Sequence, residues 1–188
     1  ARAAPGVLVV LTGDDVVADG IGGIPPYFMP ESWGGPKGYA TVRPVLLRDR
    51  VRCVGDRVAY VVAETEAQAR DAAELVDVDY EALPTVIGVE EAIKSDAPRI
   101  WDDCPGGNVG VTIAFGDKTA TDVAFASAKH VVSLRLENNR ITANSIEPRC
   151  AIGSYNAANG KYTLYATSQG PHGVRSALGT TAPHPESA

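Results

Sequence analysis

Ser168-Gln169-Gly170-Pro171-His172 is the stretch in which residue type and spacing come closest to chemistry. Pro171 suits the first turn of a helix, because its missing amide is one that a helix start leaves unpaired anyway. A strand runs into this stretch, so Gln169 arrives at the N-terminal end of a helix. There, unpaired amides and the helix dipole favour an anionic or oxo group. The Gln169 carboxamide adds a neutral donor. The same placement also suits a glutamine that merely caps the helix, and the local pattern leaves both roles open.

Other candidates carry less. His130, His172 and His184 are too scattered for a local metal motif, and His184 sits in a Pro-His-Pro tail. Cys53, Cys104 and Cys150 form no Cys-x-x-Cys pair, so no zinc or self-contained iron–sulfur site is expected. Reduced thiols in a reducing, cytoplasmic compartment are the expectation. Neither a Gly-x-Ser-x-Gly nucleophile elbow nor a phosphate-cradling Gly-x-x-x-x-Gly-Lys loop occurs. Asp77 and Asp79 share one face of an alternating stretch beside an acidic helix, which reads as a solvated face. Gly13-Asp14-Asp15, Gly55-Asp56 and Gly116-Asp117 read as turns.

The elements that position these residues are legible from periodicity. Val7 to Leu11 is a β-branched apolar run that reads as a buried strand. From Gly20 to Gly38 glycine and proline alternate so densely that neither helix nor strand is expected, with Tyr27, Phe28 and Trp33 as anchors. Arg57 to Glu64 is the best strand, apolar enough to predict cover on both faces. Thr65 and Gln68 form a capping box for a helix whose inner face is Ala69, Ala72, Ala73 and Val76. Val76 to Tyr80 and His130 to Glu137 alternate with period two and read as strands. Asp122 to Ala128 reads as a short helix capped by Thr121 or Asp122. Cys150 to Tyr155 and Lys161 to Thr167 flank Asn159-Gly160, a strong hairpin signal. A last helix starts at Pro171, and Gly179 is expected to stop it.

Composition bounds the rest. The 188 residues are 45% hydrophobic and 21% charged, an ordinary globular balance. With 17 basic against 23 acidic side chains the net charge is −6, which offers no field for nucleic acid or an anionic membrane. No apolar run approaches the roughly 20 residues of a membrane span. Met29 is the sole methionine and the chain opens Ala1-Arg2-Ala3-Ala4. A processed chain, or a piece of a longer one, is therefore expected.

Val54 to Thr65, the alanine-rich helix, and Val76 to Pro84 together resemble the α/β-hammerhead domain of the xanthine dehydrogenase/aldehyde oxidase/carbon monoxide dehydrogenase family. Glu147-Pro148-Arg149, the Asn159-Gly160 hairpin and Thr167 to His172 resemble the opening of that family's molybdopterin-binding domain. The matches run colinearly over nearly the whole chain. The resemblance implies an α+β chain: residues 1–92 as a hammerhead domain without its first strands, 93–110 as a linker, and 111–188 as a truncated start of the cofactor domain. It implies a molybdenum–pterin cofactor, with iron–sulfur clusters and FAD on companion subunits or domains. The reaction implied is oxidative hydroxylation of an aldehyde, heteroaromatic or related small molecule with water-derived oxygen. Gln169 matches the family's glutamine that donates a hydrogen bond at the molybdenum centre, and Gly170 adjoins it; Glu147 matches a structural position. No catalytic residue is expected in this stretch, because the family's catalytic glutamate and glycine-rich cofactor loop fall outside it. The excised piece is expected to hold no molybdenum and to be inactive alone. Two other readings stand beside this one: a non-catalytic module that assembles the iron–sulfur and flavin subunits, and an independent hydrolase.

Overall fold

The computed structural model describes residues 1–26, 29–139, 141 and 145–182. They divide into two compact units, residues 1–112 with 168 onward, and residues 113–167.

The first unit is built on a two-stranded antiparallel ribbon. β1 (Val7–Thr12) pairs with β2 (Ala59–Ala63), with partners running from Val9↔Val62 to Thr12↔Ala59 and an irregularity between Val7 and Val9. Both segments are rich in β-branched residues, which fit a pleated, half-buried surface. Cover on both faces is not achieved, since Tyr60 of β2 is 60% exposed. β1 runs directly into α1 (Gly13–Ala18), where the sequence suggests only a turn. The Thr12 amide and hydroxyl both donate to the Asp15 carboxylate, at 2.7 and 2.8 Å. Those two bonds, side chain first, hold the Asp15 carboxyl below its ordinary range. A six-residue helix of this kind is too short to leave a periodic signature. A 3-10 turn, Pro30–Trp33, also forms inside the Gly/Pro-rich stretch, of whose aromatic anchors Tyr27 and Phe28 lie outside the described residues.

α2 (Glu66–Glu74) starts where the capping box places it: Thr65 Oγ1 accepts from the Gln68 amide, and the Thr65 amide donates back to Gln68 Oε1 at 3.1 Å. The helix lies on β1 and β2. Its inner face centres on Ala72, which is fully enclosed, whereas Ala73 faces solvent. Gly6, at φ +74°, lets the chain pass against the Gln68 side chain, where an added Cβ would overlap the carboxamide. Replacing Thr65 by alanine removes one half of the reciprocal cap. It is expected to lower unfolding stability by about 1 kcal/mol, as read by chemical denaturation.

Val76 to Tyr80 does not form the strand its alternation predicts. Val76 and Val78 are half-buried while Asp77 and Asp79 are exposed, so the period-two pattern survives without a paired neighbour. The 93–110 stretch is tied down instead of running free, and α3 (Val89–Ala92) precedes it. The Asn108 carboxamide donates to the Ala92 and Pro98 carbonyls and accepts from the Ile100 amide. Arg52 stacks over the Trp101 ring at 4.0 Å, and Arg50 pairs with Asp102 at 2.8 Å.

The second unit contains α4 (Lys118–Ser127), capped by Asp117, whose side chain accepts from the Ala120 amide at 2.9 Å. The helix thus begins earlier than a Thr121 or Asp122 cap would allow. β3 (Ala151–Asn156) and β4 (Lys161–Ala166) form the expected hairpin, with Tyr155 and Tyr162 as cross-strand partners whose ring centroids lie 4.6 Å apart. Gly160, at φ +69°, and the Gly160 amide on the Asn156 carbonyl close the turn. His130 to Glu137 shows no strand pairing, contrary to its alternation.

Candidate functional site at the start of the last helix

α5 (Pro171–Thr181) begins with Pro171 in its first turn, as the sequence indicates, but runs past Gly179. The Thr180 hydroxyl donates back to the Ser176 and Ala177 carbonyls, both at 3.1 Å, and continues the last turn. Gly170 is the N-cap residue, extended at φ −163° and ψ 101°. Its amide donates to Ser168 Oγ at 3.0 Å and its carbonyl accepts from the Val174 amide.

Two features leave this helix start receptive. There is no side-chain cap, and no acidic residue lies in the first turn. No carboxylate of the first turn therefore neutralises the first amides. Gln169 and Gly170 are exposed, and a Cβ added to Gly170 would meet nothing within 4 Å. The donor set is a neutral carboxamide plus backbone N–H groups, which suits an oxo or phosphate-like group. Among the described residues no trio of His, Cys, Asp or Glu comes together as a metal site. His172 lies in the first turn of α5, His130 belongs to the second unit, and His184 lies outside the described residues. Glu147 is exposed in a bend ahead of β3.

The far end of α5 shows what sequence reading missed. The Gly22 amide donates to the Thr181 carbonyl at 2.7 Å, joining the Gly/Pro-rich stretch to the last turn of the helix. No local pattern could reveal this contact, because its partners are far apart in the chain. The same holds for Tyr39, whose hydroxyl donates to Asp103 Oδ1 at 2.5 Å and whose amide donates to the Gly110 carbonyl. The Asp103 bond pushes the Tyr39 hydroxyl up to about 12. A raised value favours the folded state below the ordinary phenol range, and this contribution is lost as pH rises towards 12. In an alkaline titration followed by phenolate absorbance, Tyr39 is expected to ionise after an ordinary tyrosine, and Tyr39→Phe is expected to abolish that late step.

No disulfide joins the three cysteines. At Asp56, partial burial alone would raise the carboxyl, but the Arg52 and Cys53 amides donating at 2.6 and 3.1 Å win and lower it. This turn braces the segment that carries Arg52. Among the described residues no helix is long and apolar enough to cross a membrane.

The fold and this helix start define a class: an α+β chain with a hammerhead-like ribbon and helix, leading to the opening of a cofactor-binding domain. Residues 1–84 match the family model described as aldehyde oxidase and xanthine dehydrogenase, a/b hammerhead domain, and residues 100–188 match that of the molybdopterin cofactor-binding domain. The chain belongs to the xanthine dehydrogenase/aldehyde oxidase/carbon monoxide dehydrogenase large-subunit family. It is 34% identical over 198 aligned positions to the carbon monoxide dehydrogenase large chain of Hydrogenophaga pseudoflava, covering 100% of this chain and 23% of that one. It is 36% identical over 141 positions to the nicotine 6-hydroxylase large subunit of Paenarthrobacter nicotinovorans, covering 74% of this chain and 17% of the relative. Among solved structures, quinoline 2-oxidoreductase from Pseudomonas putida 86 superposes with a TM-score of 0.81 at 32% identity, covering 99% of this chain and 22% of that one. The chain thus spans less than a quarter of the length of these relatives.

Proposed function

We propose that the chain is part of the molybdenum-binding large subunit of an oxidoreductase that hydroxylates an aldehyde, heteroaromatic or related small molecule with oxygen derived from water. The observation that carries this reading is the match of residues 100–188 to a molybdopterin cofactor-binding domain, combined with an uncapped, acid-free helix start at Gly170. When bound, the molybdenum–pterin group supplies the two-electron redox chemistry. The chain's own part is to present donors. Gln169 would hold a neutral N–H towards the cofactor's metal centre, and Gly170 would keep the approach clear of side chains. Neither residue titrates near neutrality, so their contribution is electrostatic and not acid–base.

On this reading residues 1–92 form the hammerhead domain, 93–110 the linker and 111–188 the start of the cofactor domain. Electrons leave through iron–sulfur clusters and FAD on companion subunits or domains, in the cytoplasm. Molybdenum and pterin analysis of the complete polypeptide, with dye reduction driven by aldehyde or heteroaromatic substrates, tests the reading. One molybdenum per large subunit supports it, and an intact, active enzyme without molybdenum refutes it. Expressed by itself, the 188-residue chain is expected to hold molybdenum well below stoichiometry and to show no turnover.

A second reading, an assembly surface for those companion subunits, draws on one observation. An open groove of about 1530 Å³ in the first unit is lined by the strongly exposed Val54 and Ile87. Loss of complex assembly on Val54→Asp, with cofactor content unchanged, is the outcome it requires.

A further inference from the structure

We propose that Gly22 is a positioning residue for the cofactor-facing end of α5: its amide, bonded to the Thr181 carbonyl, fixes one end of the helix and thereby aims Gln169 at the other. The proposal rests on the reading of Gln169 given above. Three observations carry it.

First, α5 is held unevenly. Val174, Ala177, Gly179 and Thr181 are half-buried, whereas Pro171, His172 and Gly173 are exposed. The Thr181 hydroxyl oxygen is shielded from solvent and, among the described residues, has no hydrogen-bond partner, which marks a closely packed end. Second, the donor is itself held on both sides. The Gly20 and Ile21 amides bond to the Val17 and Val16 carbonyls, each at 3.0 Å, and Ile24 and Arg43 exchange two backbone bonds at 2.7 and 2.9 Å. Gly22 therefore offers its N–H from a fixed segment. Third, the approach is close. A Cβ on Gly22 would lie 3.5 Å from the Thr181 carbonyl oxygen and 3.8 Å from its Cα, so alanine fits in ordinary contact and anything larger pushes on backbone.

An eleven-residue helix is roughly 16 Å long, so a tilt of about 4° at its anchored end moves the other end by roughly 1 Å. A misplacement of that size can cost about 10²-fold in rate. Loss of the Gly22 donor is thus felt at Gln169 without either residue touching the other.

The test uses the complete, molybdenum-loaded enzyme. Gly22→Pro removes the N–H. It is expected to raise amide exchange across residues 170–182 at least tenfold while leaving 59–74 unchanged. It is also expected to lower kcat about tenfold or more with KM and molybdenum content retained. Gly22→Ala keeps the donor and is expected to restore both. If the proline variant does not accumulate, Gly22→Val, whose γ-methyls press on the Thr181 carbonyl, must move both readouts in the same direction. Unchanged exchange across 170–182 overturns the clamp, whatever the turnover. Faster exchange with unchanged kcat overturns its positioning role. Gln169→Ala, run in parallel, reads the site itself: wild-type turnover there refutes the cofactor role of Gln169, while the exchange result judges the clamp separately.

Discussion

Replacing Gln169 by alanine in the loaded enzyme is expected to reduce kcat by on the order of 10²-fold, with KM and melting temperature nearly unchanged. Removal of one preorganised donor at a site of changing charge has about that effect. The position is exposed and follows the hairpin as an irregular link into α5, so the substitution removes little packing. Gln169→Glu separates the donor role from a capping role. A carboxylate at a helix start is favourable to the helix, so a capping residue would tolerate the change. A donor would not, because the carboxylate only accepts hydrogen bonds. Steady-state kinetics on both variants, beside a thermal melt, decide the matter: retained turnover in Gln169→Glu rejects the donor assignment.

Ala72→Asp is expected to be the most damaging single change in the first unit. Ala72 is 0% exposed on the face of α2 that lies on β1 and β2, and among the described residues no polar side chain is buried there to receive a carboxylate. Burial of an unpaired carboxylate is expected to cost about 3 kcal/mol or more. That corresponds to a melting temperature lower by on the order of 10 °C. Ala73→Asp, one residue further and exposed, is expected to shift stability by no more than about 0.5 kcal/mol. The buried carboxyl has a raised folded-state pKa. Its penalty is therefore largest above that value and shrinks as pH falls through it, so the melting-temperature deficit relative to wild type should be smaller at pH 4 than at pH 7 for Ala72→Asp and the same at both for Ala73→Asp. Equal melts for the two variants would show that Ala72 is not the packing centre.

What the chain reveals in one dimension is what short-range chemistry decides. The Thr65–Gln68 box, Pro171 at the start of α5 and the Asn159-Gly160 turn involve partners a few residues apart, and all three are where their residue types put them. Val76–Tyr80 and His130–Glu137 alternate as strands do, yet pairing requires a neighbouring backbone edge, which no alternation supplies. α1 is held by Thr12 and Asp15, a pair that also suits a turn; only the following Val16 and Val17 extend it. At the site, the helix start and its glutamine are legible because Pro171 and Gln169 announce them. The Gly22–Thr181 bond is invisible because nothing in either neighbourhood points to the other. Gly179 misleads for a physical reason: glycine permits a helix to end, but the turn runs past it and the Gly22 amide takes up the Thr181 carbonyl at its close.

The β1–β2 ribbon has a further consequence for handling the protein. Among the described residues β1 and β2 pair only with each other, so each strand has one side that this pairing does not use. Such a ribbon has two-sided hydrogen-bonding valency, like a tile with two unglued sides. In concentrated solution the 188-residue chain should therefore associate edge to edge, and its sedimentation coefficient should fall on dilution.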